Sequence, residues 1–127
     1  MALAAEQLRD GARVRALNHS RGEALAERVL VAAGPWSRAR GLLGRPALEP
    51  GQGLLIVPCR GVHTFGMAYP IDVVHLDREG LVRAVVRRLR PWRIGPLLWD
   101  ADLALELPAD AARTSVGDRL GLELLEG

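Results

Sequence analysis

Residues 54–80 read LLIVPCRGVHTFGMAYPIDVVHLDREG. The first four are an unbroken apolar run, the pattern of a strand covered on both faces. Pro58 then ends its hydrogen bonding or puts it at an edge. Residues 62–67 form a second strand candidate, which Pro70 separates from a third over residues 71–76. Asp77-Arg78-Glu79-Gly80 is a hairpin signal in which glycine supplies the positive φ. Residues 81–89 are the returning strand. The same stretch holds the only Cys, the only Phe, the only Tyr and two of the three His.

Outward from this centre the pattern stays rich in strands. Residues 13–17 alternate as a half-exposed strand, and the turn cluster at 18–22 leads into residues 24–33, whose Val29 and Val31 favour a strand and a hairpin. Residues 1–11 suggest a short helical turn around Leu3 and Leu8. Gly34-Pro35 opens a helix over residues 35–43, because proline is accepted where the N–H has no partner. Gly44 and Pro46 stop it. Gly41 inside that helix suggests a second backbone crossing close by. Residues 103–107, with Ala104 and Glu106 as the alternating set, read as a strand. Residues 108–114 read as a short helix, and residues 116–118 turn into a last strand over 119–125. The returning strand 81–89 breaks alternation: Val82, Ala84 and Val86 share a face that Arg88 and Arg90 would continue. A bulge near Arg87-Arg88 is cheaper than a buried arginine pair. The sum is a mainly β, single compact domain over residues 1–127. It is an antiparallel barrel or half-barrel with two short helices plugging its open ends.

The 127 residues suit one domain with one core. No apolar run reaches the roughly 20 residues of a membrane span. The N-terminus has no signal-peptide pattern, so the expected location is the cytoplasm. One Cys allows no internal disulfide. All 17 basic residues are Arg, for which codon bias and selection for planar anion recognition are both readings. The net charge of +2 is too small to imply nucleic acid by itself. Residues 81–93 nevertheless carry five Arg and no acid. That run with Trp92 permits phosphate contact plus base stacking. A charged edge strand that discourages aggregation is the reading preferred.

Three chemical readings compete for the central stretch. On a regular strand Cys59, His63, Phe65 and Met67 share a face, a set of soft metal ligands. Four residues of strand span about 13 Å, too far for Cys59 and His63 to share one ion without a bend. Cys59 as a thiol nucleophile, with His63 or His75 as base, makes a thiol-dependent hydrolase the enzymatic alternative. Asp72 alternates with Val74 and Leu76 in a strand that should be buried, so it must be paired. It either holds loop amides or an arginine, or faces a ligand at a pocket mouth, with Arg40, Arg45 and Arg88 as candidate partners.

The order of several motifs resembles a known family. Arg40-Gly41-Leu42-Leu43-Gly44-Arg45 is followed by Gly53-Leu54-Leu55, His63-Thr64-Phe65-Gly66-Met67 and Pro70-Ile71-Asp72-Val73-Val74. Leu76-Asp77-x-x-Gly80, Leu105-Glu106-Leu107-Pro108 and Val116-Gly117-Asp118 complete it. This is similar to the bacterial and archaeal domain of unknown function 192, over residues 25–124. The resemblance implies a single β-rich domain with no assigned reaction, and many similar proteins carry an export signal. It puts weight on Arg40, Arg45, Phe65, Met67 and Asp72 rather than on Cys59 or His75. The resulting expectation is a non-catalytic binding domain for a small anion or a peptide segment, with Arg40, Arg45, His63, Phe65, Met67 and Asp72 at the site. No metal, cofactor, nucleic acid or membrane partner is expected. A metal-binding protein is the third alternative.

Overall fold

The computed structural model describes residues 2–125. A 3₁₀ turn at Ala5–Leu8 precedes the strands β1 Arg13–Asn18, β2 Glu23–Ala32, β3 Gln52–Ile56, β4 Ile71–Leu76, β5 Val82–Leu89, β6 Leu103–Pro108 and β7 Leu120–Leu124. The helix α1, Pro35–Arg40, lies between β2 and β3. All seven strands share one sheet in the order β5-β4-β6-β3-β2-β1-β7. Pairing is antiparallel except between β2 and β3, which run parallel.

The sheet curls until its edge strands touch. Leu81 and Arg119 form a bridge beyond β5 and β7, and Leu120 N–H donates to Gly80 O at 2.8 Å. A Cβ on Gly80 would sit 2.1 Å from that Leu120 carbonyl oxygen, and φ there is +86°. Glycine is therefore required for both the turn and the closure. Inside the curl, all seven strands contribute to one apolar cluster that includes Val14, Val29, Leu55, Val74, Leu105 and Leu120.

The outer face is covered as well, because three connections must cross it. Parallel β2 and β3 need a crossover, and residues 33–51 supply it, placing Leu42, Leu43 and Leu48 on the sheet. β6 lies between β3 and β4, so residues 57–70 cross over it. β4 lies between β5 and β6, so residues 90–102 cross back. These last two crossovers are joined by Thr64 N–H to Arg93 O at 2.9 Å, Gly95 N–H to Val62 O at 2.8 Å and Leu98 N–H to Arg60 O at 2.8 Å. A second apolar cluster results, with Val62 and Met67 packed on Ile71, Val73 and Ala104.

The mainly β half-barrel is as read from sequence, and so is the bulge. Ile71 pairs with Leu89 but Val73 pairs with Val86, so one extra residue lies opposite β4. Arg88 takes φ +51° there, and its side chain turns out to Asp110. Other expectations change. Residues 62–67 are not a strand: their amides bond the second crossover and a turn closed by Met67 N–H to Thr64 O at 3.1 Å. Residues 108–114 are not a helix: Asp110 has φ +70°, and the Ala112 N–H goes to the Asp72 carboxylate. The structure thus has one α-helix among its described residues, lying on the outer face rather than plugging an end. It stops at Arg40 because Gly41 has φ +51°, and no other backbone crosses at that glycine. No helix of the described residues is long and apolar enough to cross a membrane.

Candidate functional site

The outer face carries two adjoining depressions. The smaller is a cavity of about 90 Å³ whose lining includes Arg38, Cys59, His63, Met67 and Glu106. Glu106 alternates with Leu105 and Leu107, so it faces away from the inner cluster. It lies across from Leu54 on β3 and Val73 on β4. It is 3% exposed, and burial pushes its carboxyl pKa from 4.5 up to about 7. A buried carboxyl in an apolar wall is able to hold or release a proton near neutrality.

Its neighbours are quiet by comparison. Burial pushes the Cys59 thiol up. Its Sγ donates to Gly61 O at 3.1 Å. A thiol held up in this way is a poor nucleophile at neutral pH. Tyr69, packed against the outer cluster, has a buried hydroxyl with no partner among the described residues. Burial raises its pKa, and the negative charge of Glu106 adds to that. His63 is exposed, and its Nδ1 accepts from Phe65 N–H at 3.2 Å. Among the described residues, no three of His, Cys, Asp and Glu come together as metal ligands.

The larger depression is an open groove of about 790 Å³. Arg13 on β1, Arg28 on β2, and Arg40 and Arg45 on the first crossover line it, with Glu49 its one acid among the described residues. None of the four arginines pairs with an acid among those residues. Arg45 Nε donates to Gly41 O at 2.9 Å, and Arg40 Nε to Leu43 O at 3.1 Å. These bonds anchor the guanidinium stems at the helix end, where carbonyls lack partners. The terminal nitrogens are left as a planar fork suited to carboxylate or phosphate. Arg40 and Leu42 border both groove and cavity, so the two adjoin.

The residues singled out from sequence come together in part. Arg40 lines both depressions, Arg45 the groove, and His63 and Met67 the cavity. Phe65 is exposed and stacks on His63 with ring centroids 5.2 Å apart. Asp72 is fully buried on the inner face. Its two oxygens accept Arg88 N–H at 2.9 Å and Ala112 N–H at 3.0 Å, so it pins the bulge and the 108–114 turn. Arg13, Arg28, Tyr69 and Glu106 were not singled out by sequence. The one signal for Glu106 was its place between Leu105 and Leu107 in a strand bounded by apolar residues.

The family model for domain of unknown function 192, described as an uncharacterized ACR, matches residues 16–122. The chain belongs to that family. No curated protein matches this domain of unknown function 192 member. A solved structure from Sinorhizobium meliloti 1021, provisionally described as a transcription regulator, is similar at 26% identity with a TM-score of 0.70. The match covers 89% of this chain and 92% of that one. A protein of unknown function from Novosphingobium aromaticivorans DSM 12444 shares the fold at 20% identity and a TM-score of 0.71, over 85% and 82% of the two chains.

Proposed function

We propose that this chain is a non-catalytic binding domain for a small anionic ligand held in the arginine groove. The observation that carries this is the convergence of Arg13, Arg28, Arg40 and Arg45, from three separate parts of the chain, on one groove beside a single acid. Charge-assisted bonds from guanidinium forks are strong and directional. Beyond Arg40 lies the cavity, where Glu106 offers a hydrogen-bond acceptor. An anionic group joined to a short arm ending in a hydroxyl, amide or amine fits both parts. The raised thiol pKa of Cys59 gives the thiol-dependent alternative no support.

Isothermal titration with inorganic phosphate and with citrate tests this. Binding is expected at low salt, weakened about tenfold or more by Arg40→Ala with Arg45→Ala and reduced at about 0.5 M NaCl. Cys59→Ala is expected to leave binding unchanged. If neither anion binds, or the arginine variant binds as the parent does, the proposal fails.

A further inference from the structure

The joined crossovers 57–70 and 90–102 present a second surface, independent of the groove. Their exposed side chains are unusually apolar: Phe65 is 41% exposed, Leu97 63%, Trp92 64%, Ile94 74% and Trp99 79%. Large apolar groups exposed together mark an interaction site. The display is rigidly held. Thr64 is fully buried; its hydroxyl donates to Arg90 O and accepts Arg93 N–H at 3.0 Å. Trp92 N–H donates to Thr64 O at 3.0 Å, and Trp92 sits at φ +61°, a strained conformation for a bulky residue. Phe65 lies 6.2 Å from the Trp92 ring.

The charge on this surface is mainly positive. Residues 57–70 and 90–102 contain Arg60, Arg90, Arg93 and His63 against Asp100 and Asp102. Asp102 lies 3.7 Å from Arg60, and Arg90 and Arg93 pair with no acid among the described residues. We infer that this lobe docks on an anionic lipid surface, with Trp92, Ile94, Leu97 and Trp99 entering the headgroup boundary and Arg90 and Arg93 contacting lipid phosphate. Tryptophan favours that boundary, because one end of the ring is apolar and the other wet. Basic residues beside it add attraction to anionic lipid. The two crossovers satisfy much of each other's backbone, so few bare amides would enter the low-dielectric layer. Single-stranded nucleic acid would also use arginine and aromatic rings, but it gains little from exposed Ile94 and Leu97. Those two aliphatic groups favour lipid. The proposal departs from the expectation, read from sequence, that no membrane is a partner.

The test is co-sedimentation of the full chain with vesicles of phosphatidylcholine alone and of an equal mixture with phosphatidylglycerol, at low salt. The mixed vesicles are expected to bind about tenfold or more tightly than the neutral ones, with a blue shift of tryptophan emission. Ile94→Ala with Leu97→Ala is expected to weaken that binding about tenfold. Arg90→Gln with Arg93→Gln is expected to remove the preference for the anionic mixture. Unchanged urea midpoints establish that both variants remain folded, as their exposure predicts. Failure to sediment with either vesicle, equal binding to both, or binding indifferent to both variants overturns the proposal. So does binding of a single-stranded oligonucleotide without binding of vesicles. A dimer that dissociates on Trp92→Ala, with no vesicle binding, would assign the surface to a second copy and overturn it equally.

Discussion

The two faces of the sheet bury polar groups in opposite ways. On the inner face, Asp72 accepts two amides. Asn18 Nδ2 donates to Thr114 Oγ1 at 3.0 Å and to Asp118 Oδ2 at 2.9 Å. Asp118 is held down to about 2, first by its bond from Asn18 and then by the Ser115 amide. On the outer face, Glu106 carries a raised pKa caused by burial alone. The Tyr69 hydroxyl and His75 Nδ1 are buried with no partner among the described residues. Buried polar groups are normally paired. The inner face is therefore organised for stability, and the outer face keeps polar atoms that only water or a ligand can satisfy.

The largest expected loss of stability falls on the inner face. Asp72→Ala leaves the buried Ala112 amide and the half-buried Arg88 amide unpaired, at about 1–3 kcal/mol for a fully buried group, and should cost roughly 3 kcal/mol by urea denaturation. A loss well under about 1 kcal/mol would break the contrast between the faces.

Glu106→Gln should act in the opposite direction. The folded pKa of about 7 lies above the ordinary 4.5, so the native state keeps its proton longer than the unfolded chain. Stability must then fall as pH rises from 4.5 to about 7 and stay low above that. A shift of this size corresponds to roughly 3 kcal/mol. The Gln variant should be more stable than the parent at pH 8 by about that amount and nearly equal to it at pH 4. Destabilisation at pH 8 would make Glu106 a structural group and erase the distinction.

The smallest effect sharpens the comparison from the acid side. Burial lowers the His75 pKa below 6.5, so the unfolded chain takes up the proton first. Stability should decline as pH falls through 6.5. His75→Leu, which keeps the side chain apolar in its wall, should remove that part of the decline. A pH series of urea midpoints on the two single variants and their double separates the contributions.

Much of the inner face was legible in the sequence. Asp72 among Ile71, Val73 and Val74 demanded partners, and the broken alternation at Arg87-Arg88 demanded a bulge. The structure joins the two demands, since the bulge amide of Arg88 is one of those partners. Both are local conflicts with a period of two, which a single sequence displays. The outer site was far less legible. The 62–67 stretch alternates like a strand, yet Gly61, Gly66 and the bonds to residues 90–98 turn it into a loop. That loop brings His63 and Met67 to the cavity while Phe65 points to solvent. Glu106 alternates as a solvated residue would, and it is buried only because the crossovers cover its face.

The sequence by itself determined the seven strands that form, though it also suggested one at 62–67 that does not, together with the hairpin at Asp77–Gly80 and the bulge, because each depends on side chains within a few positions of one another. The tertiary structure alone decided which face of each strand was covered twice. Only the order of strands brings Arg13 and Arg28 beside Arg40 and Arg45. Only the meeting of two crossovers sets Phe65 beside Trp92. The physical reason is that these juxtapositions arise from pairing between distant segments, where alternation along one strand carries no information.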